Sequence, residues 1–292
     1  MRKLEHNIKK NLKEFYECYG RYGEDATILF DQYGTDGLEV RYPLRFMIMY
    51  EGQLKAIKSI VNPGEDILDV GAGDGLLAET LLKDAKTLTA LDISLKRIKR
   101  CAERCKKGYF IVADAEGLPF KQESFDSIVA SELIEHLIAP EEFLRSSYNA
   151  LRKGGTLVIS TPSGLFYENN LEEIFKDHHL HTFSPKKLKS LLEKAGFKPT
   201  AIKGMGFKLR IKLPNLLGVL PRIFYAIITG KGPKRGFIAP VSLEWNLALN
   251  SFMNRLYIKD KPINRKICRF LCLIGAKFPS VASQVIVSAE RL

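Results

Sequence analysis

Cysteine is scarce in this chain, and what there is makes no cluster. Five occur in 292 residues: Cys18 alone, then Cys101 with Cys105 and Cys268 with Cys272 as Cys-x-x-x-Cys pairs. Neither pair has a third cysteine two or three residues further on, so an iron–sulfur centre would lack ligands. Both pairs fall on helical patterns, where thiols four apart are expected to pack as small apolar groups. The start of the chain, Met1–Lys13, is charged and polar and has no secretory pattern, so the thiols read as reduced and the protein as cytoplasmic. Long apolar runs are missing too. Leu213–Thr229 is broken by Pro214, Asn215, Pro221 and Arg222, whereas a bilayer span takes ~20 apolar residues. No internal repeat or low-complexity tract is present, which argues against a solenoid or array.

Acidic residues are missing from one part only. From Phe197 to Leu292 there are 17 Lys/Arg and three Asp/Glu, a net of +14, whereas residues 1–196 carry a net of −2. A segment so basic suits an anionic surface, nucleic acid or phospholipid headgroups, or else forms a solvated basic face. Within it, Ile267, Phe270, Leu271 and Ile274 share a helical face flanked by Arg265, Lys266, Arg269 and Lys277. That pattern fits a helix lying in a membrane interface, or a helical subdomain packed on the rest of the protein. Overall composition, 46% hydrophobic and 27% charged, is that of an ordinary globular chain. The length holds one large α/β domain with appendages, or two small domains.

What is present is a regular alternation. Residues 1–60 read as a helical cap, with apolar residues at helical spacing over Ile8–Tyr19 and Leu44–Ile60 and an aromatic, acidic lid segment, Tyr22–Tyr42, between them. From Asp66 onward, strands are predicted at 66–70, 87–91, 109–112, 125–130, 156–160 and 198–203, with helices at 75–84, 94–106, near 141–151 and from Ser184-Pro185 to Gly196. A β-branched run at 283–289 adds a seventh strand. The resulting organisation is a core of 61–204 plus 283–292, interrupted by a basic, apolar-faced helical insertion at 205–282. Alternating units of this length argue a parallel sheet with helices on both faces.

The chain is organised around Ile67–Gly75, reading Ile-Leu-Asp-Val-Gly-Ala-Gly-Asp-Gly. An apolar strand runs into three glycines at alternate positions and then a helix, an arrangement that lets a ligand lie against bare backbone. A nicotinamide fingerprint would place its third glycine three residues after the second. Here Gly71, Gly73 and Gly75 are spaced by two, with Asp69 on the strand just before them.

This resembles the first motif of the class I, Rossmann-like methyltransferases that use S-adenosylmethionine, and further motifs follow in order. Asp92, with Ile93 beside it, ends the second strand, where the resemblance implies a carboxylate on the ribose hydroxyls. Asp114 and Ala115 follow the third strand, where the family's acidic residue faces the adenine. Phe125–Val129 and Leu151–Thr156 match the fourth strand and the entry to the fifth. The resemblance covers about residues 60–204 and 283–290. It implies a seven-stranded, mostly parallel sheet with its last strand antiparallel.

A finer resemblance is to the ubiquinone-biosynthesis O-methyltransferases. Ser131-Glu132-Leu133-Ile134-Glu135-His136 matches their Glu-x-x-Glu-His motif, with Ser131 bordering the cofactor, and Pro43-Leu44-Arg45 matches the tripeptide whose arginine clamps the cofactor's carboxylate. His179–Pro185 resembles their His-x-x-x-Phe-Thr-Pro segment. Glu132, Glu135 and His136, with His179, are also similar to the metal ligands of small-RNA 2′-O-methyltransferases. Two carboxylates and two imidazoles suit Mg²⁺, Mn²⁺ or Zn²⁺. The same residues could act without metal, His136 or His179 as general base or Glu132 and His136 as helix-start polar groups. His178, His181, Tyr22, Tyr42 and Tyr167 are candidates for the acceptor pocket. The function expected is methyl transfer to a hydroxyl of a small or lipid-like acceptor such as a quinol or phenol, with 205–282 docking the protein on membrane. The alternatives are an RNA methyltransferase using the basic segment, and a cofactor-binding scaffold without turnover. An oxidoreductase is disfavoured by the glycine spacing.

Overall fold

The computed structural model describes residues 44–163, 179–205 and 284–292, with Lys10 and Lys266 singly, and side chains of the continuous stretches from Tyr50 onward. The chain divides into two compact units, residues 1–39, 49–208 and 270–292 in one and 40–48 with 209–269 in the other. The fold that follows is that of the first. The lid segment, almost all of the 205–282 insertion, Cys18, Cys268 and Cys272 lie outside the described residues.

Helix α1 spans Leu44–Lys58. Then follow β1 (Asp66–Val70), α2 (Leu76–Leu82), β2 (Thr87–Asp92), α3 (Leu95–Cys105), β3 (Tyr109–Val112), β4 (Phe125–Ser131), α4 (Pro140–Ala150), β5 (Leu151–Pro162), α5 (Pro185–Lys194), β6 (Phe197–Met205) and β7 (Gln284–Arg291). The sheet order is β3-β2-β1-β4-β5-β7-β6. The pairs β1·β2, β1·β4, β2·β3 and β4·β5 are parallel, and β7 runs antiparallel between β5 and β6. The seven strands and the reversed last strand match the expectation.

Each element has a local cause. β1 is buried at all five positions, the mark of a central parallel strand covered on both faces. α3 turns Ile98, Cys101 and Cys105 inward and is capped by Ser94, whose hydroxyl accepts from the Arg97 amide at 3.3 Å. Ser184 caps α5 in the same way, with Pro185 in the first turn. The start of α4 is capped from a distance: Glu116 Oε1 accepts from the Ile138 and Ala139 amides at 2.6 and 3.1 Å.

Two apolar layers flank the sheet. One gathers Leu68, Val70, Ile128, Ile159, Val287 and the inner faces of α4 and α5. The other joins Ile57 of α1 and the inner faces of α2 and α3 to Ile67, Val129, Val158 and Ile286. The alternation of strand side chains assigns each residue to its layer.

β5 differs from the expectation. It begins at Leu151 and runs through Gly154-Gly155, which the sequence places ahead of the strand. Gly154 has φ +74°, and a Cβ on Gly155 would meet the Asp126 carbonyl oxygen at 2.9 Å. The two glycines therefore form a kink within a strand, where β4 and β5 shift register between Phe125 and Ser127.

Candidate active site

The carboxyl ends of β1, β2 and β4 meet at the glycine turn. Gly71, Gly73 and Gly75 have φ of +73°, +55° and +86°, conformations that side chains rarely adopt. At Gly75 the requirement is also steric, since a Cβ would lie 2.7 Å from Cys101 Sγ and 3.0 Å from its Cα. This is how α3 comes close to the turn, and why Cys101 is a packing residue.

The turn is tied to the end of β2. The Gly71 and Ala72 amides donate to the Leu91 carbonyl at 2.7 and 3.0 Å. The Gly73 amide donates to Asp92 Oδ2 at 3.0 Å, and the Ser94 amide to Asp92 Oδ1 at 2.9 Å. Each oxygen keeps a further lone pair for a ligand. Burial raises the Asp92 carboxyl from its ordinary range, opposed by the Ser94 amide, the Arg97 charge and the Gly73 amide. Asp69 is buried near the end of the neighbouring strand β1, and its Oδ2 has no hydrogen-bond partner. Desolvation, then the Asp92 charge, pushes its carboxyl up to about 7. Ile93 is half-buried and Ala115 buried. Asp114 turns its Oδ1 to the Glu116 amide at 3.0 Å. An orphaned buried carboxylate oxygen, a cradle of positive-φ glycines and an acceptor-rich Asp92 fit a nucleoside carrying donors and positive charge. Arg45 lies in the first turn of α1; its side chain is outside the described residues.

Second, the 3₁₀ turn Ile134–His136 follows β4. The Glu135 carbonyl accepts from the Leu180 and His181 amides at 2.7 and 3.0 Å, which holds the distant segment 179–181 against this turn. His136 and His179 consequently stand with ring centroids 4.7 Å apart. The Glu135 carboxylate is buried, Oε2 accepts from the Thr161 hydroxyl at 2.9 Å, and Oε1 has no hydrogen-bond partner. Burial, then the neighbouring Glu132 charge, holds its carboxyl well above the ordinary range. One ligand atom from each of Glu135, His136 and His179 lies within 4.8 Å of the others. Two imidazoles and an orphaned carboxylate oxygen form a donor set that can hold a divalent ion.

Glu132 is not brought into that group. It has φ +52°, and its carboxylate turns instead to Gln53, Ser160 and Gln284 at 3.2, 3.1 and 3.0 Å. Of the expected ligands, the structure gathers three and sends the fourth elsewhere. Among the acceptor-pocket candidates, His181 packs by Phe183 with its Nε2 3.4 Å from the Ile138 carbonyl. Tyr22, Tyr42, Tyr167 and His178 lie outside the described residues. Gln53, Thr161 and Gln284 were not singled out by sequence. Their only signal is a polar side chain where the local period calls for an apolar one.

Comparison with known proteins bears on the domain that carries this site. Residues 68–159 match the model of a methyltransferase domain. Over those residues the core is similar to a methyltransferase domain. Over 162 residues the chain is 32% identical to the mitochondrial ubiquinone biosynthesis O-methyltransferase of Rattus norvegicus, covering 49% of this chain and 47% of that enzyme. It is 28% identical over 167 residues to the ubiquinone/menaquinone biosynthesis C-methyltransferase of Wigglesworthia glossinidia brevipalpis, covering 52% and 66%. The chain thus spans about half to two-thirds of the length of these relatives. A SAM-dependent methyltransferase structure from Thermotoga maritima shares the fold with a TM-score of 0.56 at 20% identity, covering 95% of this chain and 99% of that one. The glycine turn, Asp69, Asp92, Glu135 and His136 lie within the matched residues 68–159, and His179 lies beyond them. The Glu135–His136–His179 cluster follows the end of β4.

Proposed function

We propose that this protein transfers the methyl group of S-adenosylmethionine to a hydroxyl oxygen of a quinol- or phenol-type acceptor, using a divalent cation held by Glu135, His136 and His179. The observation that carries this reading is the convergence of those three side chains beside a glycine turn built for the methyl donor. The names of the ubiquinone-biosynthesis relatives support the acceptor class. The donor supplies an electrophilic methyl on a good leaving group, so the protein's task is to align the acceptor and ease loss of its proton. A cation in the cluster would bind the acceptor oxygen and make its hydroxyl more acidic.

The chain's own residues do the rest. Thr161 fixes the Glu135 carboxylate by its hydroxyl, leaving Oε1 toward the ligand set. The Glu135 carbonyl positions His179 through the Leu180 and His181 amides. His136 Nε2 lies 4.0 Å from Glu135 Oε1, so both side chains present a ligand atom to the same point, and the proton of an acceptor hydroxyl made acidic there would leave to solvent. A prenylated acceptor would lie in a bilayer, and the basic 205–282 segment is the part suited to dock there. Among the described residues, no helix is long and apolar enough to cross a membrane.

The test is a labelled-methyl transfer assay on a prenylated catechol in anionic vesicles, in neutral vesicles, and on total RNA, each with and without chelator. The expected result is label on the catechol, favoured by anionic vesicles and abolished by chelator. Label confined to RNA would overturn the acceptor class, and chelator-resistant transfer would overturn the metal.

A further inference from the structure

The strand alternation facing α1 changes character at the carboxyl edge of the sheet. Val129 of β4, Val158 of β5 and Ile286 of β7 are buried apolar residues of that layer. Two residues on, toward the edge, stand Ser131, Ser160 and, on the antiparallel β7, Gln284. Asp69 follows Ile67 in the same way on β1. Into this polar row α1 inserts Gln53, only 1% exposed. The helix lies close to β6 here, since a Cβ on Gly52 would come 2.5 Å from Met205 Cε. An apolar residue at position 53 would suit a helix packed on a core and would carry no burial penalty. A buried amide is unfavourable unless its hydrogen bonds are made.

The bonds of its Nε2 are made to particular groups, while its Oε1 is buried without a partner. Gln53 Nε2 lies 2.6 Å from Ser160 Oγ, 3.0 Å from Ser131 Oγ and 3.2 Å from Glu132 Oε1, three acceptors that share its two hydrogens. Ser131 and Ser160 hydroxyls lie 3.0 Å apart, and Ser160 donates to Glu132 Oε1 at 3.1 Å. On the far side Gln284 Nε2 donates to Glu132 Oε2 at 3.0 Å. Glu132 holds a left-handed backbone, φ +52°, that costs a non-glycine residue on the order of 1 kcal/mol or more. Its own amide donates to the Ser160 carbonyl at 3.0 Å. Three elements, α1, β5 and β7, thus hold this carboxylate through neutral donors alone. Among the described residues, no basic side chain forms an ion pair with it. The methyl donor of the proposed reaction is a cation, with a sulfonium and an ammonium. Desolvation pushes its carboxyl up to about 7, against hydrogen bonds from Ser160, Gln53 and Gln284, and a carboxylate held in place with no basic partner is complementary to such a ligand, whose charge favours its ionised form.

We propose that Gln53 is a positioning residue for the methyl donor: through Ser131, Ser160 and Glu132 it docks α1 on the sheet edge and fixes the Glu132 carboxylate as counter-charge to the donor's cationic end. This rests on the proposed reading that the domain binds S-adenosylmethionine. The amide acts as a donor to a carboxylate, so the pair is exchangeable. Q53E sets two carboxylates facing each other, E132Q removes the charge, and Q53E/E132Q restores one amide and one carboxylate in reversed positions. Only a specific pairing is rescued in this way.

The test is calorimetric titration of the full-length protein with S-adenosylmethionine and S-adenosylhomocysteine. Q53E is expected to weaken binding of the sulfonium ligand roughly 30-fold, E132Q roughly 10-fold, and the double variant to return within about fivefold of wild type. Q53M, similar in length but without donors, is expected to lose roughly 10-fold with its unliganded far-UV spectrum unchanged. Gln53 variants binding within about twofold of wild type, or a double variant as weak as Q53E, would overturn the proposal. Should Q53E fail to fold, Q53M and the double variant decide. Wild-type protein that binds neither ligand would instead refute the cofactor reading, and this proposal with it.

Discussion

His136→Ala lowers kcat for methyl transfer roughly a thousandfold and leaves S-adenosylhomocysteine affinity within about threefold of wild type. His136 lies on the 3₁₀ turn after β4, its ring 4.7 Å from that of His179 and its Nε2 4.0 Å from Glu135 Oε1. The glycine turn is a separate construction, fixed by the Leu91 carbonyl and Asp92. Losing one imidazole removes a cation ligand while leaving that construction intact. Glu135→Gln should behave similarly, because its buried Oε1 has no other partner and an amide there cannot balance a cation's charge. The measurement is steady-state kinetics beside calorimetry for each variant. Loss of cofactor binding in step with kcat would mean that the cluster belongs to the cofactor site.

The second large effect concerns pH. Burial and the Asp92 charge push the Asp69 carboxyl up to about 7. A raised folded-state value means that the folded protein binds this proton more tightly than the unfolded chain does. The stability it contributes is present in full below the unfolded value near 4 and is lost as pH rises through about 7. The loss is on the order of 4 kcal/mol at most, three pKa units being worth about that much. Asp66 works in the opposite direction, since Thr87, Lys86 and Arg152 hold its carboxyl below the ordinary range, so its contribution is lost as pH falls. The readout is therefore the difference between wild type and Asp69→Asn. In urea unfolding of the unliganded protein, Asp69→Asn is expected to gain on wild type steadily from pH 4 to 7. A constant difference across that range would show Asp69 ionised at no cost, and its environment polar.

The elements that present the donor site were legible because their causes are local. A short strand with Ile67, Leu68 and Val70, three spaced glycines and a capped amphipathic helix can each be read without knowing the fold. β5 was misjudged at its start because glycines are ordinary strand breakers. Here they make a kink that pairing with β4 carries through.

The metal cluster was legible only through resemblance. His179 lies 43 residues after His136, and what unites them is a pair of backbone amides on the Glu135 carbonyl. No residue type announces that contact. Glu132 went astray for a backbone reason. Three-residue spacing to Glu135 implies a shared side only on a helix, and a left-handed residue before a 3₁₀ turn sends the carboxylate to Gln53. Gln53 and Gln284 escaped because a single polar residue on an apolar face reads as tolerance until its partners are seen.

The central claim is that the turn from Val70 to Gly75 binds a methionine-derived nucleoside. Calorimetry of the folded, full-length protein with S-adenosylhomocysteine tests it most directly. One molecule per chain with Kd below about 100 μM, weakened at least tenfold by Asp92→Ala, is the result expected. No binding at about 1 mM ligand, or binding indifferent to Asp92→Ala, would contradict it.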